Sequence, residues 1–246
     1  MNTQTTIEKL KLMRLKGMAE LYHSAAQSNL YNDYTTDQYI ALLTDREWEY
    51  RQNRKMENLI RKADFRTAAT IKNIDYSAPR GLDKNQFERL ATLEFLKQKL
   101  NIIITGPTGT GKSYLAQALG HQACIFLHKT RYFTQSALAE QLHLAKIKGT
   151  YSRFLKQINQ AQLLIIEDFG LQPMDNLTRN ALMDIADHKY DKASFIITSQ
   201  IPVNQWHQLF GEATIADAIM DRIVHSAHRI ELKGQSMRKA KSIIQL

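Results

Sequence analysis

Eight consecutive residues, Gly106-Pro107-Thr108-Gly109-Thr110-Gly111-Lys112-Ser113, satisfy G-x-x-x-x-G-K-[ST] in full and follow a short β-rich run, Ile102-Ile103-Ile104. The chemistry this spacing allows is the cradling of phosphate. Glycines let the backbone curl until its N–H groups and the following helix N-terminus face an anion, where the helix dipole favours negative charge. Lys112 is then placed to reach the β- and γ-phosphates, and the Ser113 hydroxyl to ligate Mg²⁺. The ligands expected are ATP and Mg²⁺.

A phosphate loop of this kind needs carboxylates on the metal side. The run Leu163-Leu164-Ile165-Ile166-Glu167-Asp168 ends a buried-strand pattern in two acids, about fifty residues after the loop. The order is unusual, because the longer acid comes first. Glu167 is expected to join Ser113 at the metal, and Asp168 to orient the attacking water. Further along, Ile196-Ile197-Thr198 leads into Ser199 and Gln200, which are either sensors of the γ-phosphate or plain turn residues. Arg222, in Met220-Asp221-Arg222-Ile223, stands where an arginine finger could serve a neighbouring subunit. Its alternative is a surface ion pair with Asp221 or Glu212. Arg238, in Ser236-Met237-Arg238-Lys239, is either a further phosphate ligand or part of a basic tail.

The elements that must position these groups are legible in outline. A helical stripe runs from Thr6 to about Ser24. A longer helix is expected between Thr36 and Ala63, which contains neither Gly nor Pro and sets Glu47 four residues before Arg51. Residues 70–85 read as a connector, which puts a small all-α domain at 1–75 and the remainder at 76–246. In the second part, β-rich runs at 102–104, 131–134, 163–166, 195–198 and 228–232 alternate with helical stretches. That alternation predicts an α/β domain built on parallel strands.

Composition narrows the partners. The 246 residues carry 33 Lys and Arg against 24 Asp and Glu, a formal net charge of +9, which suits a polyanion such as DNA. Between Lys129 and Gln160 there are six cations and one acid, Glu140, interleaved with Tyr132, Phe133, Tyr151 and Phe154. Lys146, Lys148, Tyr151 and Arg153 read as a loop entering a helix, able to track a DNA backbone without reading bases. The single cysteine, Cys124, excludes an intramolecular disulfide framework, and no stretch is apolar enough to span a bilayer. A cytoplasmic protein is expected.

Taken in order, the GPTGTGKS loop, the Leu163–Asp168 run continuing into Phe169-Gly170-Leu171-Gln172-Pro173, ITSQ, ADAIMDRI and HRIELKGQSMRK resemble the IstB insertion-sequence helper ATPases. These belong to the AAA+ clade with the DnaC helicase loaders and the DnaA initiator. The resemblance implies a P-loop AAA+ ATPase core with a parallel five-stranded sheet, preceded by a small all-α N-terminal domain serving partner contact or oligomerisation. It also implies a homo-oligomeric ring or spiral that assembles on double-stranded DNA with ATP and cooperates with a DDE transposase of the same element. A DnaC-type helicase loader is the nearest alternative. A P-loop small-molecule kinase is a third, disfavoured by Arg222 and the helical N-terminus.

Overall fold

The computed structural model describes residues 3–28 and 33–237. Contacts divide the chain into two compact units, Met1–Asn58 and Leu59–Leu246.

The first unit holds α1 (Thr3–Leu12), α2 (Lys16–Ser28) and most of α3 (Thr36–Ala63), whose last five residues fall in the second unit. Where the apolar pattern predicts one stripe from Thr6 to Ser24, the chain turns at Arg14, φ 62°, and leaves Leu12 and Met13 exposed. The break leaves amide donors at the start of α2 in need of acceptors. Glu47 on α3 supplies one: its Oε2 accepts from Gly17 N at 2.8 Å and Met18 N at 3.3 Å, while Oε1 accepts from Arg51 Nε at 2.7 Å. A Cβ on Gly17 would stand 2.6 Å from the Arg46 carbonyl, so only glycine permits this approach.

The second unit is an α/β sandwich. β1 (Asn101–Thr105), β2 (Thr130–Thr134), β3 (Leu163–Glu167), β4 (Ser194–Ser199) and β5 (Ala227–Glu231) form one sheet in the order β2-β3-β4-β1-β5, every neighbouring pair parallel. The Ile and Leu runs of β1, β3 and β4 are buried on both faces, as parallel strands covered by helices must be. Alternate residues divide the core. Ile102, Ile104, Ile165 and Ile196 face α4 (Lys84–Ala91), α5 (Glu94–Lys97) and α6 (Lys112–Ile125). Ile103, Leu164, Ile166 and Ile197 face α7 (Gln135–Ile147), α8 (Tyr151–Asn159), α9 (Asn176–Lys189) and α10 (Ala213–Val224).

The unit begins earlier than the connector reading placed it. Phe65, Ala69, Ile71 and Ile74 pack into the α6-side core, and Thr67 N donates to Gln117 Oε1 at 2.9 Å. The stretch before residue 76 is apolar enough to be bound by the α6-side core, which moves the boundary into α3.

Candidate nucleotide site

Parallel strands deliver their carboxyl ends to one edge of a sheet, and ligands bind in the crevice outside those ends. Here β1 runs into the glycine loop, β3 into Glu167 and Asp168, and β4 into Ser199 and Gln200. The register pairs Thr105 with Ser199. Between them lies a cavity of about 560 Å³ lined by Thr108, Gly109, Gly111, Lys112, Ser113, Glu167, Asp168 and Gln200, together with residues from 66–80.

The loop's shape accounts for its glycines. Gly106, Gly109 and Gly111 have φ of 145°, 82° and 95°, and a Cβ would stand 2.3 Å from Leu232 O, 2.1 Å from Ser236 Oγ and 2.4 Å from Arg80 Nη1 respectively. The left-handed conformation disfavours a side chain at each, and at Gly106 the Leu232 backbone leaves no room for one. Thr110 is buried and its hydroxyl donates to Pro107 O at 2.9 Å, bracing the curl. Lys112 opens α6, 6% exposed, with Nζ donating to Gly106 O at 2.7 Å and Pro107 O at 2.8 Å. Burial pulls its pKa below the ordinary lysine value, while Asp168 and then Glu167 push it back up.

The two acids sit in different surroundings. Glu167 is 3% exposed, with Oε1 accepting from Gln117 Nε2 at 3.1 Å and Oε2 from Tyr132 Oη at 2.9 Å. Burial raises its pKa, and hydrogen bonds from Tyr132, Gln117 and Ser113 offset part of that rise. Asp168 is half-buried at φ 56°, and its backbone N–H faces Thr198 Oγ1 at 3.4 Å. Among the described residues no donor hydrogen-bonds its carboxylate. Ser113 beside an oriented, buried Glu167 is an all-oxygen donor pair, which fits Mg²⁺.

Two sequence expectations change, the sensor option for Ser199 and the ion-pair partner of Arg222. Ser199 is fully buried, donating to Phe169 O at 2.6 Å and accepting from Ile201 N at 3.0 Å; it closes a turn and does not face the cavity. Gln200 occupies the position that does. Arg222 lies at the other end of the sheet, where its own carbonyl accepts from Asn101 Nδ2 at the start of β1. Five residues at roughly 3.3 Å each put it about 16 Å from the loop, so it cannot act on the cavity of its own chain. Its guanidinium bonds neither Asp221 nor Glu212: Nε and Nη2 donate to Asp187 Oδ1 at 3.0 and 2.8 Å. Arg238 lies outside the described residues.

Sequence reasoning missed the roles of Tyr132, which it grouped with the aromatics of the basic stretch, Gln117 and Arg80. The first two are 35 and 50 residues from Glu167 and carry no motif. Arg80, buried against the loop, lies in a stretch read as linker.

The α7–α8 corner presents the other predicted set. Gly149, φ 66°, ends α7 with Gly149 N donating to Lys146 O and Thr150 N to Ala145 O, a Schellman closure. Lys146, Lys148 and Arg153 are exposed, with no acidic partner among the described residues, and Lys146 Nζ lies 5.3 Å over the Tyr151 ring. Tyr151 and Phe154 turn inward to the core. Arg131, counted among the basic residues, is instead committed to Lys62 O at 2.8 Å.

A sheet in the order β2-β3-β4-β1-β5, with a P-loop after β1 and an acid pair after β3, defines an AAA+ P-loop fold. Solved structures agree. AMPPCP-bound DnaA from Aquifex aeolicus superposes with a TM-score of 0.57 at 20% identity, covering 74% of this chain and 56% of that one. DnaI gives 0.57 at 18% identity, covering 72% and 93%. A DnaC helicase loader gives 0.52 at 18% identity, covering 67% and 97%. The chain belongs to the IstB-like ATP binding protein family, whose pattern matches residues 7–244. An insertion-sequence ATP-binding protein of Sinorhizobium fredii is 39% identical over 234 residues, 95% of this chain and 96% of the relative. The IS21 ATP-binding protein of Pseudomonas aeruginosa is 30% identical over 236 residues, 96% and 88%.

Proposed function

We propose that this protein is a cytoplasmic, ATP-dependent transposition helper that oligomerises on double-stranded DNA and directs a DDE transposase of the same element to its target. ATP sits in the 560 Å³ cavity. The loop amides from Thr108 to Ser113 hold its phosphates, Lys112 leaves its carbonyl acceptors for the β- and γ-oxygens, and Gln200 faces the γ end. Ser113 and Glu167 would hold Mg²⁺, which when bound would neutralise phosphate charge. Asp168, its carboxylate free of protein donors, orients the water that attacks the γ-phosphorus and accepts its proton. Arg222 completes the site of the next subunit, and Lys146, Lys148 and Arg153, with Tyr151 beneath them, lie along the DNA backbone.

The observation that carries the oligomeric reading is the placement of Arg222 at the sheet end opposite the loop, exposed enough to leave Asp187 for a neighbour. The near-full-length likeness to insertion-sequence proteins favours transposition over helicase loading. Mixing Asp168→Asn and Arg222→Ala chains tests the reading. Each is defective alone, but a junction that joins an intact Asp168 site to an intact Arg222 restores hydrolysis on duplex DNA. A mixture no more active than the sum of its parts refutes the shared site.

A further inference from the structure

Arg80 is 3% exposed, lines the nucleotide cavity and, among the described residues, has no carboxylate bonded to it. Its Nη2 donates to Asp75 O at 2.7 Å; its Nη1 donates to Thr110 O at 3.0 Å and reaches Met237 Sδ at 3.1 Å. Its Nε is buried with no partner among the described residues. The Asp75 carboxylate is spent elsewhere, accepting from Ser77 N at 2.8 Å and Ser77 Oγ at 2.6 Å. A buried cation satisfied only by main-chain oxygens and a thioether is an expensive arrangement, and it stabilises the fold most when negative charge arrives nearby.

The same residue joins three segments distant in sequence. Its carbonyl accepts from Lys233 N at 2.8 Å, and Met237 N donates to Gly109 O at 2.9 Å. Gly234 lies so close to Pro79 that a Cβ would stand 2.5 Å from the Pro79 carbonyl. The middle of the phosphate loop is therefore gripped between the 75–80 stretch and the 232–237 segment, with the Arg80 guanidinium as the shared pin.

We propose that Arg80 is a positioning residue that couples nucleotide binding to docking of the 232–237 segment on the phosphate loop. The coupling rests on the reading of the cavity as an ATP site. ATP draws the loop and its pin into one arrangement, which holds Lys233 and Met237 in place. By reciprocity, the docked segment tightens ATP binding. The planar fork reaches the two acceptors through two nitrogens, Nη2 to Asp75 O and Nη1 to Thr110 O, where a lysine has one.

The test measures affinity for a fluorescent ATP analogue with Mg²⁺, and hydrogen exchange at the Lys233 and Met237 amides with and without ATP, in the full chain. In the parent protein ATP slows exchange at both amides. Arg80→Ala and Arg80→Lys each raise the Kd by about 10- to 100-fold, the worth of a lost charged hydrogen-bond set, and abolish that protection. Met237→Ala, which leaves the loop untouched, weakens binding severalfold and reduces protection at Lys233. Thermal unfolding without nucleotide shows which variants fold. If Arg80→Ala does not, Arg80→Lys and Met237→Ala decide. Arg80→Lys binding ATP as the parent does, with protection intact, overturns the proposal, as does a parent whose two amides ignore ATP. Lys112→Ala separates the premises: parent-like affinity in that variant removes the ATP-site reading itself.

Discussion

Tyr132→Phe isolates the support of Glu167. The substitution keeps the ring in its 5%-exposed place and deletes only the hydroxyl that donates to Oε2 at 2.9 Å, so it opens no cavity. What remains is a 3%-exposed carboxylate whose side-chain donors are Gln117, on its other oxygen, and Ser113. A hydrogen bond to a charged group is worth about 1.5–3 kcal/mol, and for a chain of this size about 2 kcal/mol lowers the melting temperature by roughly 4–8 °C. The penalty exists only while Glu167 is ionised. Burial already raises the Glu167 pKa, and loss of the Tyr132 donor raises it further. A group whose pKa is higher in the folded state destabilises that state as pH rises through the folded value. The difference between variant and parent is therefore largest at alkaline pH, where Glu167 is ionised, and narrows as pH falls and Glu167 protonates above the ordinary carboxylate range. Calorimetric melts of both proteins from alkaline to acid pH measure it. A deficit that is constant with pH, or absent at alkaline pH, refutes the claim that Tyr132 stabilises an ionised Glu167.

Other substitutions probe the remaining parts. Lys112→Ala weakens ATP binding by about 10- to 100-fold in fluorescent-analogue titration, since Arg80, the cation beside it, is occupied with carbonyls. Neutralising Lys146, Lys148 and Arg153 together lowers the salt slope of duplex binding by nearly three, at about 0.9 per phosphate contact, with sequence preference unchanged; isotherms at several salt concentrations check this. Asp168→Asn retains ATP and Mg²⁺ but slows phosphate release by at least about 100-fold, the scale of general-base catalysis, and accumulates as a larger particle in light scattering. Gly109→Ala destabilises more than Gly149→Ala in thermal melts. Both adopt left-handed φ, but a Cβ on Gly109 meets Ser236 whereas Gly149 has open space.

The parts of the site readable from sequence are those contained in one contiguous stretch. Strand, glycine loop and helix N-terminus follow one another from Asn101 to Ile125, so their pattern already holds their geometry. The five β-rich runs likewise mark all five strands. What escaped depends on contacts across the fold. Tyr132 reaches Glu167 because β2 pairs with β3, and Arg80 reaches the loop because the 75–80 stretch folds back over it. Ser199 and Gln200 are adjacent, and only the turn after β4 decides which faces the cavity. For Arg222 the ion-pair partner escaped: Asp187, 35 residues away, stands beside it at the Asn101 end of the strands, where neighbours in sequence suggested Asp221 or Glu212. The boundary moved because residues 65–74 are apolar at the positions that meet α6, a fact visible only once α6 is in place.

The most direct test of ATP-driven assembly is imaging of the protein with ATP, Mg²⁺ and duplex DNA at a resolution that places side chains. The expected particle is a ring or spiral of identical subunits around DNA. In it Arg222 of each subunit faces the nucleotide held by Lys112 and Ser113 of the next, with the α7–α8 corner along the phosphates. Single subunits on DNA under saturating ATP, or an oligomer in which Arg222 remains with Asp187 away from any nucleotide, contradict the account.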